Sequence, residues 1–159
     1  MCVIHISVNQ SQIAINPVQI EREAERILSA LGYTDTELSI AIVDDEEMAR
    51  LNWEFRRVKS TTDVLAFPML EGEFGDVSPE LLGDVVISAP MAKAMSEECD
   101  RPLGEILVLL LVHGVLHLVG YDHEKGEAEA LEMAGKTLEL LELVGCDAAA
   151  FRWYFRPEE

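Results

Sequence analysis

From Ile106 to Val119 the chain is apolar at every position except His113, Gly114 and His117. The stretch is too short to cross a bilayer, so it predicts a helix buried in a protein core. A helix that is apolar on all sides needs neighbours on all sides. It is also the frame for the main chemical signal of the sequence. His113 and His117 stand four residues apart, one helical turn, on one face. Gly120 then suits the end of the helix, because glycine enters the left-handed conformation without steric penalty. A turn there brings His123 round to the other two.

Three of the chain's four histidines fall in this block, at the spacing H-x-x-x-H-x-x-G-x-x-H of a third-ligand zinc motif. Three neutral imidazoles hold one ion and leave a fourth tetrahedral position open, the pattern of a catalytic rather than a structural zinc. Imidazole sites also accept nickel, copper or iron. The expected cofactor is one Zn2+ per chain, and the expected class is a metal-dependent hydrolase. His5, the fourth histidine, lies on the opposite strand face from Ile4 and Ile6 and is expected to face solvent.

The 159 residues suffice for one domain, 1–159, with a core that needs no disulfide. The formal charge of −18 excludes a broadly basic nucleic-acid surface, so a polyanionic substrate requires a local basic patch or the metal. Cys2, Cys99 and Cys146 are odd in number and form no C-x-x-C pair, which points to reduced thiols and a cytoplasmic protein. The N-terminus has no basic region followed by a long apolar stretch, so no signal peptide is expected.

Val3 to Val8 alternates as a half-buried strand. Asn16 and Pro17 start a helix whose buried stripe is Ile20, Ala24, Ile27, Leu28 and Leu31. Leu38 to Val43 is a second strand. Asp44 caps a helix from Asp45 to Arg57, with Met48, Leu51, Asn52 and Phe55 on one face. Thr62 to Phe67 and Leu82 to Ile87 are further strands, separated by a loop from Leu70 to Pro79. Ser88 caps a helix reaching Cys99, and Arg101-Pro102 opens the long apolar helix. A last helix is expected from Glu124 to Val144, with Leu131, Ala134, Leu138 and Leu141 inward. The final aromatic stretch, Phe151 to Arg156, is expected to dock on the body. This order predicts an α+β (α/β sandwich) fold: a small mixed sheet of about four strands with helices packed largely on one face, including the metal-bearing helix.

Zinc peptidases with this helix motif carry glutamate after the first histidine as general base. Here that residue is Gly114, so a peptidase would lack its base. Asp122, beside His123, is expected to orient the third ligand rather than serve as that base. Arg50, Arg56, Arg57 and Lys59 concentrate a third of the basic residues in one short segment, the best candidate for a phosphate-binding patch. Arg56 stands out because its planar fork of donors matches phosphate oxygens. Thr61-Thr62-Asp63 and Gly83-Asp84 place polar groups beside strands, as caps and turns or as walls of a cleft.

Four blocks together resemble the YbeY family of endoribonucleases, also called rRNA maturation factors: Leu51-Asn52-Trp53-Glu54-Phe55-Arg56, Thr62-Asp63-Val64-Leu65-Ala66-Phe67-Pro68, Leu82-Gly83-Asp84-Val85-Val86-Ile87-Ser88, and His113 to His123. Thr61 stands where the family often has proline, and Ala66 where it has serine. The resemblance implies a zinc-dependent, single-strand-specific endoribonuclease acting in 16S rRNA 3′-end maturation and ribosome quality control. It implies metal ligands His113, His117 and His123, and Arg56 as the basic residue of the cleft. The candidate catalytic residues are Arg56 and His113. Expected partners are single-stranded RNA or rRNA and the small ribosomal subunit with its proteins, which would present RNA to so acidic a chain; no membrane and no DNA are expected. The alternatives are a non-catalytic, metal-stabilised ribosome-assembly factor and, ranked below it, a zinc peptidase-like amide hydrolase.

Overall fold

The computed structural model describes residues 2–68 and 81–155. Its elements are β1 (Val3–Asn9), α1 (Pro17–Ala30), β2 (Glu37–Val43), α2 (Asp45–Arg56), β3 (Val64–Pro68), β4 (Leu81–Ser88), α3 (Ala89–Cys99), α4 (Leu103–Leu118), α5 (Glu127–Leu143) and a C-terminal 3₁₀ helix (Ala148–Phe155). The expected loop from Leu70 to Pro79 lies outside the described residues.

The strands form one mixed sheet in the order β1-β2-β4-β3. β1, β2 and β4 run parallel, and β3 pairs antiparallel with β4. The predicted α+β architecture of about four strands is therefore the observed one. Alternate strand residues define two faces. Leu38, Ile40, Ile42, Val85 and Ile87 join α1, α4 and α5 in the main core. Val43, Leu65 and Val86 turn the other way and pack with Met48 of α2. Most helices thus cover one face, and α2 covers part of the second.

Helix boundaries follow local chemistry. The Asn16 side chain accepts from the Val18 and Gln19 amides, Asp44 from Glu47, and Ser88 from Met91. These bonds satisfy amides that the first helical turn leaves without partners. α2 stops one residue earlier than predicted, with Arg57 in the left-handed conformation at φ 59°. β3 begins at Val64 rather than Thr62, and just before it the Asp63 side chain accepts from the Val64 amide. α4 is buried along most of its length, and no single helix among the described residues is long and apolar enough to cross a membrane.

The last helix departs most from the prediction. It begins at Glu127, not Glu124, because Asp122 holds the Glu124 amide in a turn. Its buried face is Met133, Thr137, Leu140 and Leu141, while Leu131, expected inward, is 68% exposed. Thr137 can be buried because its hydroxyl donates to the Met133 carbonyl. Of the predicted stripe, Leu141 is buried and Leu138 packs against the core, whereas Leu131 faces out and the satisfied Thr137 takes an inward place that apolar patterning does not show.

Candidate metal centre

α4 carries His113 and His117 on one face, with ring centroids 4.8 Å apart. After α4 the chain reverses: Gly120 takes φ 104°, its amide donates to the His117 carbonyl, and the Tyr121 amide donates to that of Leu116. The next turn is held by Asp122, whose Oδ1 accepts from the Glu124 amide at 2.9 Å. That contact acts on the backbone carrying His123. It leaves the His123 ring 5.3 Å from both His113 and His117.

One ligand atom from each ring lies within 4.8 Å of the others, so the three could hold a metal ion. A tetrahedral zinc keeps its nitrogens about 3.3 Å apart, within reach of small side-chain rotations. The electrostatics suit a cation's ligands. His113 is held neutral, its pKa pushed down to about 3 by burial, then by His117 and His123. His117 is also lowered, first by burial, then by His123, with Arg56 adding to the effect and Asp122 and Glu124 opposing it. Neutral imidazole is the form that donates a lone pair to a metal. His113 Nδ1 is in addition buried with no hydrogen-bond partner.

Arg56 bears on the His117 ring electrostatically, as the smallest of the contributions that oppose its protonation. The basic cluster is otherwise engaged. Arg50 pairs with Glu47 and Glu54 on the surface of α2. Arg57 and Lys59 stack over the Trp53 ring at 5.2 and 5.3 Å. Arg56 makes no ion pair among the described residues. Asn52, buried at 2% exposure, donates to the Ser60 carbonyl at 2.8 Å and fixes the loop that follows Arg56. Its oxygen is buried without a partner.

Gly114 has no room for a side chain. A Cβ there would lie 2.7 Å from Val85 Cγ1 and 3.3 Å from Val64 Cγ2. The residue after the first histidine thus faces the sheet, and a peptidase-type glutamate at that point has no place.

The two polar strand segments separate. Asp63 belongs to the histidine side, where its Oδ2 accepts from the Tyr154 hydroxyl at 2.9 Å. Tyr154 in turn stands edge-on to His113. Asp84 lies on the second sheet face, paired in register with Ser39 and Phe67. It lines a groove of about 570 Å³ with His5, Ser7, Phe55 and others. Burial raises its pKa, opposed by a hydrogen bond from Ser39. His5, exposed as expected, contacts Glu37 at 2.6 Å. Tyr154 is the site neighbour that sequence reasoning did not single out, since only a docked tail was predicted.

Residues 5–145 match the family described as Endoribonuclease YbeY. The chain belongs to the YbeY family. Named members of it include Endoribonuclease YbeY of Geobacter metallireducens, 44% identical over 87% of this chain and 93% of its own length. Endoribonuclease YbeY of Aquifex aeolicus is 50% identical over 70% of this chain and 72% of its own. The solution structure of TM1509 from Thermotoga maritima superposes with a TM-score of 0.62 at 25% identity, covering 89% of each chain. Membership of the YbeY family supports an endoribonuclease role, with RNA as substrate.

Proposed function

We propose that this chain is a zinc-dependent, single-strand-specific endoribonuclease of the cytoplasm, acting with the small ribosomal subunit in 16S rRNA 3′-end maturation and ribosome quality control. The observation that carries the proposal is the convergence of three histidines, whose ligand atoms lie within 4.8 Å of one another, in a chain of this family. His113, His117 and His123 would hold the ion. A zinc ion in such a site supplies Lewis acidity toward a phosphoryl oxygen.

The remaining work falls to the chain's own groups. Arg56 binds non-bridging oxygens of the scissile phosphate through its planar fork and offsets charge that grows in the transition state. Burial disfavours protonation of both His113 and His117, which favours the lone pairs a cation needs. Gly114 lets α4 sit close to Val64 and Val85, which sets the height of both helical histidines above the sheet. The charge of −18 opposes free RNA, so the small subunit is the natural source of a presented substrate.

The test is cleavage of a labelled single-stranded RNA by zinc-loaded protein beside Arg56→Ala and His117→Ala, each checked for folding and bound metal. The parent is expected to cut. Folded, metal-loaded Arg56→Ala is expected to lose on the order of a hundredfold or more in rate. A contaminant-free parent inert both on free RNA and on small subunits refutes the enzyme and leaves a binding role. A 2′,3′-cyclic phosphate product would assign the first attack to the RNA's own 2′-hydroxyl.

A further inference from the structure

The metal centre has a wall from outside the region that matches the family. The match ends at residue 145, and the C-terminal 3₁₀ helix begins at Ala148. From that helix the Tyr154 ring meets the His113 ring at 5.4 Å and 84°, edge to face. The Tyr154 hydroxyl donates to Asp63 Oδ2 at 2.9 Å. Asp63 is itself fixed, for its Oδ1 accepts from the Val64 amide and its carbonyl from the Ser88 amide. The same helix is pinned by Phe151, which is fully buried, and the rings of Trp153 and Phe155 flank Tyr154 at 5.8 and 5.5 Å.

We propose that Tyr154 is a positioning residue of the metal centre, holding the His113 ring in the orientation that lets it share an ion with His117 and His123. The proposal rests on the metal-ligand assignment made above. Ligand imidazoles are ordinarily oriented by a hydrogen bond at the second ring nitrogen. Among the described residues no hydrogen bond orients the His113 ring, whichever nitrogen faces the ion, and its Nδ1 is buried without one. Rotation about the bond to an imidazole ring is otherwise soft, and a perpendicular tyrosine ring restricts it by packing. The bond to Asp63 holds that tyrosine in turn. The C-terminal helix is then part of the site in this chain rather than an appended tail.

The experiment uses the full chain as parent, Tyr154→Phe, Tyr154→Leu and Tyr154→Ala, with Ile27→Val as a core change in α1 remote from the site. Zn2+ affinity is measured by competition with a chromophoric chelator. The visible absorption of the Co2+-loaded proteins reports ligand geometry. Tyr154→Leu and Tyr154→Ala are expected to bind about tenfold more weakly, as for loss of other groups that orient a ligand, with a changed Co2+ spectrum. Tyr154→Phe keeps the ring but loses the bond to Asp63, and is expected to weaken binding by less than Tyr154→Leu. Ile27→Val is expected to lose stability but not affinity. If Tyr154→Ala does not fold, Tyr154→Leu decides. Parent affinity and spectrum in Tyr154→Leu overturn the proposal, as does equal weakening in Ile27→Val or in Tyr154→Phe. A parent that binds no Zn2+ overturns the metal-ligand assignment as well, so the two failures are distinct.

Discussion

Gly114→Ala probes the contact that seats the ligand helix on the sheet. The added carbon would lie 2.7 and 3.1 Å from the two methyls of Val85 and 3.3 Å from a methyl of Val64. Val85 is fully buried in an inner strand, and a branched side chain has few rotamers to retreat into. Overpacking of this kind costs about 1–3 kcal/mol. Alanine recovers about 1 kcal/mol over glycine as a helix former. With both Val85 methyls facing the new carbon, the steric cost belongs to the upper half of that range, about 2–3 kcal/mol, leaving a net destabilisation of about 1–2 kcal/mol. Urea unfolding of chelator-treated protein measures it. Val85→Ala removes the obstructing methyls, so the double variant is expected to be more stable than additivity allows, by about 1 kcal/mol. Zn2+ affinity should fall in Gly114→Ala, because the same displacement moves His113 and His117. A Gly114→Ala protein as stable as the parent, or strict additivity with Val85→Ala, would refute the account.

Two further outcomes follow from buried polar groups. His113 in the metal-free fold resists protonation, its pKa pushed to about 3 mainly by burial, whereas an unfolded histidine titrates near 6.5. Its share of stability is therefore complete above about pH 6.5 and lost as pH falls toward 3, at up to about 1.4 kcal/mol per unit. Between pH 7.0 and 5.5 the metal-free parent should lose about 1 kcal/mol more than His113→Gln in urea unfolding, and equal losses would contradict this. Asn52→Ala removes the bond to the Ser60 carbonyl but also an oxygen buried without a partner, so it should cost only about 1 kcal/mol. The loop behind Arg56 should loosen with it, seen as weaker binding of single-stranded RNA at unchanged Zn2+ affinity.

Most elements were legible because their signals are local. Alternation marked the strands, and Asn16, Asp44 and Ser88 marked helix starts through bonds spanning only two or three residues. The histidine block was legible for the same reason, since one helical turn and one glycine turn bring its rings together. Long-range pairings were hidden. Nothing local ties Tyr154 to Asp63, or separates Asp84 from Asp63 onto opposite sides of the sheet. Within the basic cluster, only three-dimensional neighbours show Arg50 tied to glutamates while Arg56 makes no ion pair among the described residues. Leu131 misled because hydrophobicity alone favours burial, while packing selected Thr137 on the neighbouring face.

β1 ends the sheet, and no strand among the described residues pairs with its outer side. The outward-pointing amides and carbonyls of this seven-residue strand, those not bonded to β2, make a template on which another chain can add. Val3 and Val8 are exposed along it, and His5 with Glu37 is its one charged interruption on the pairing strands' shared face. A net charge of −18 opposes the approach of two such edges, a repulsion that disappears near the isoelectric point of about 4.4. The carboxylates that make free RNA a reluctant ligand thus also serve as the colloidal stabiliser of the chain, and acid removes both effects together.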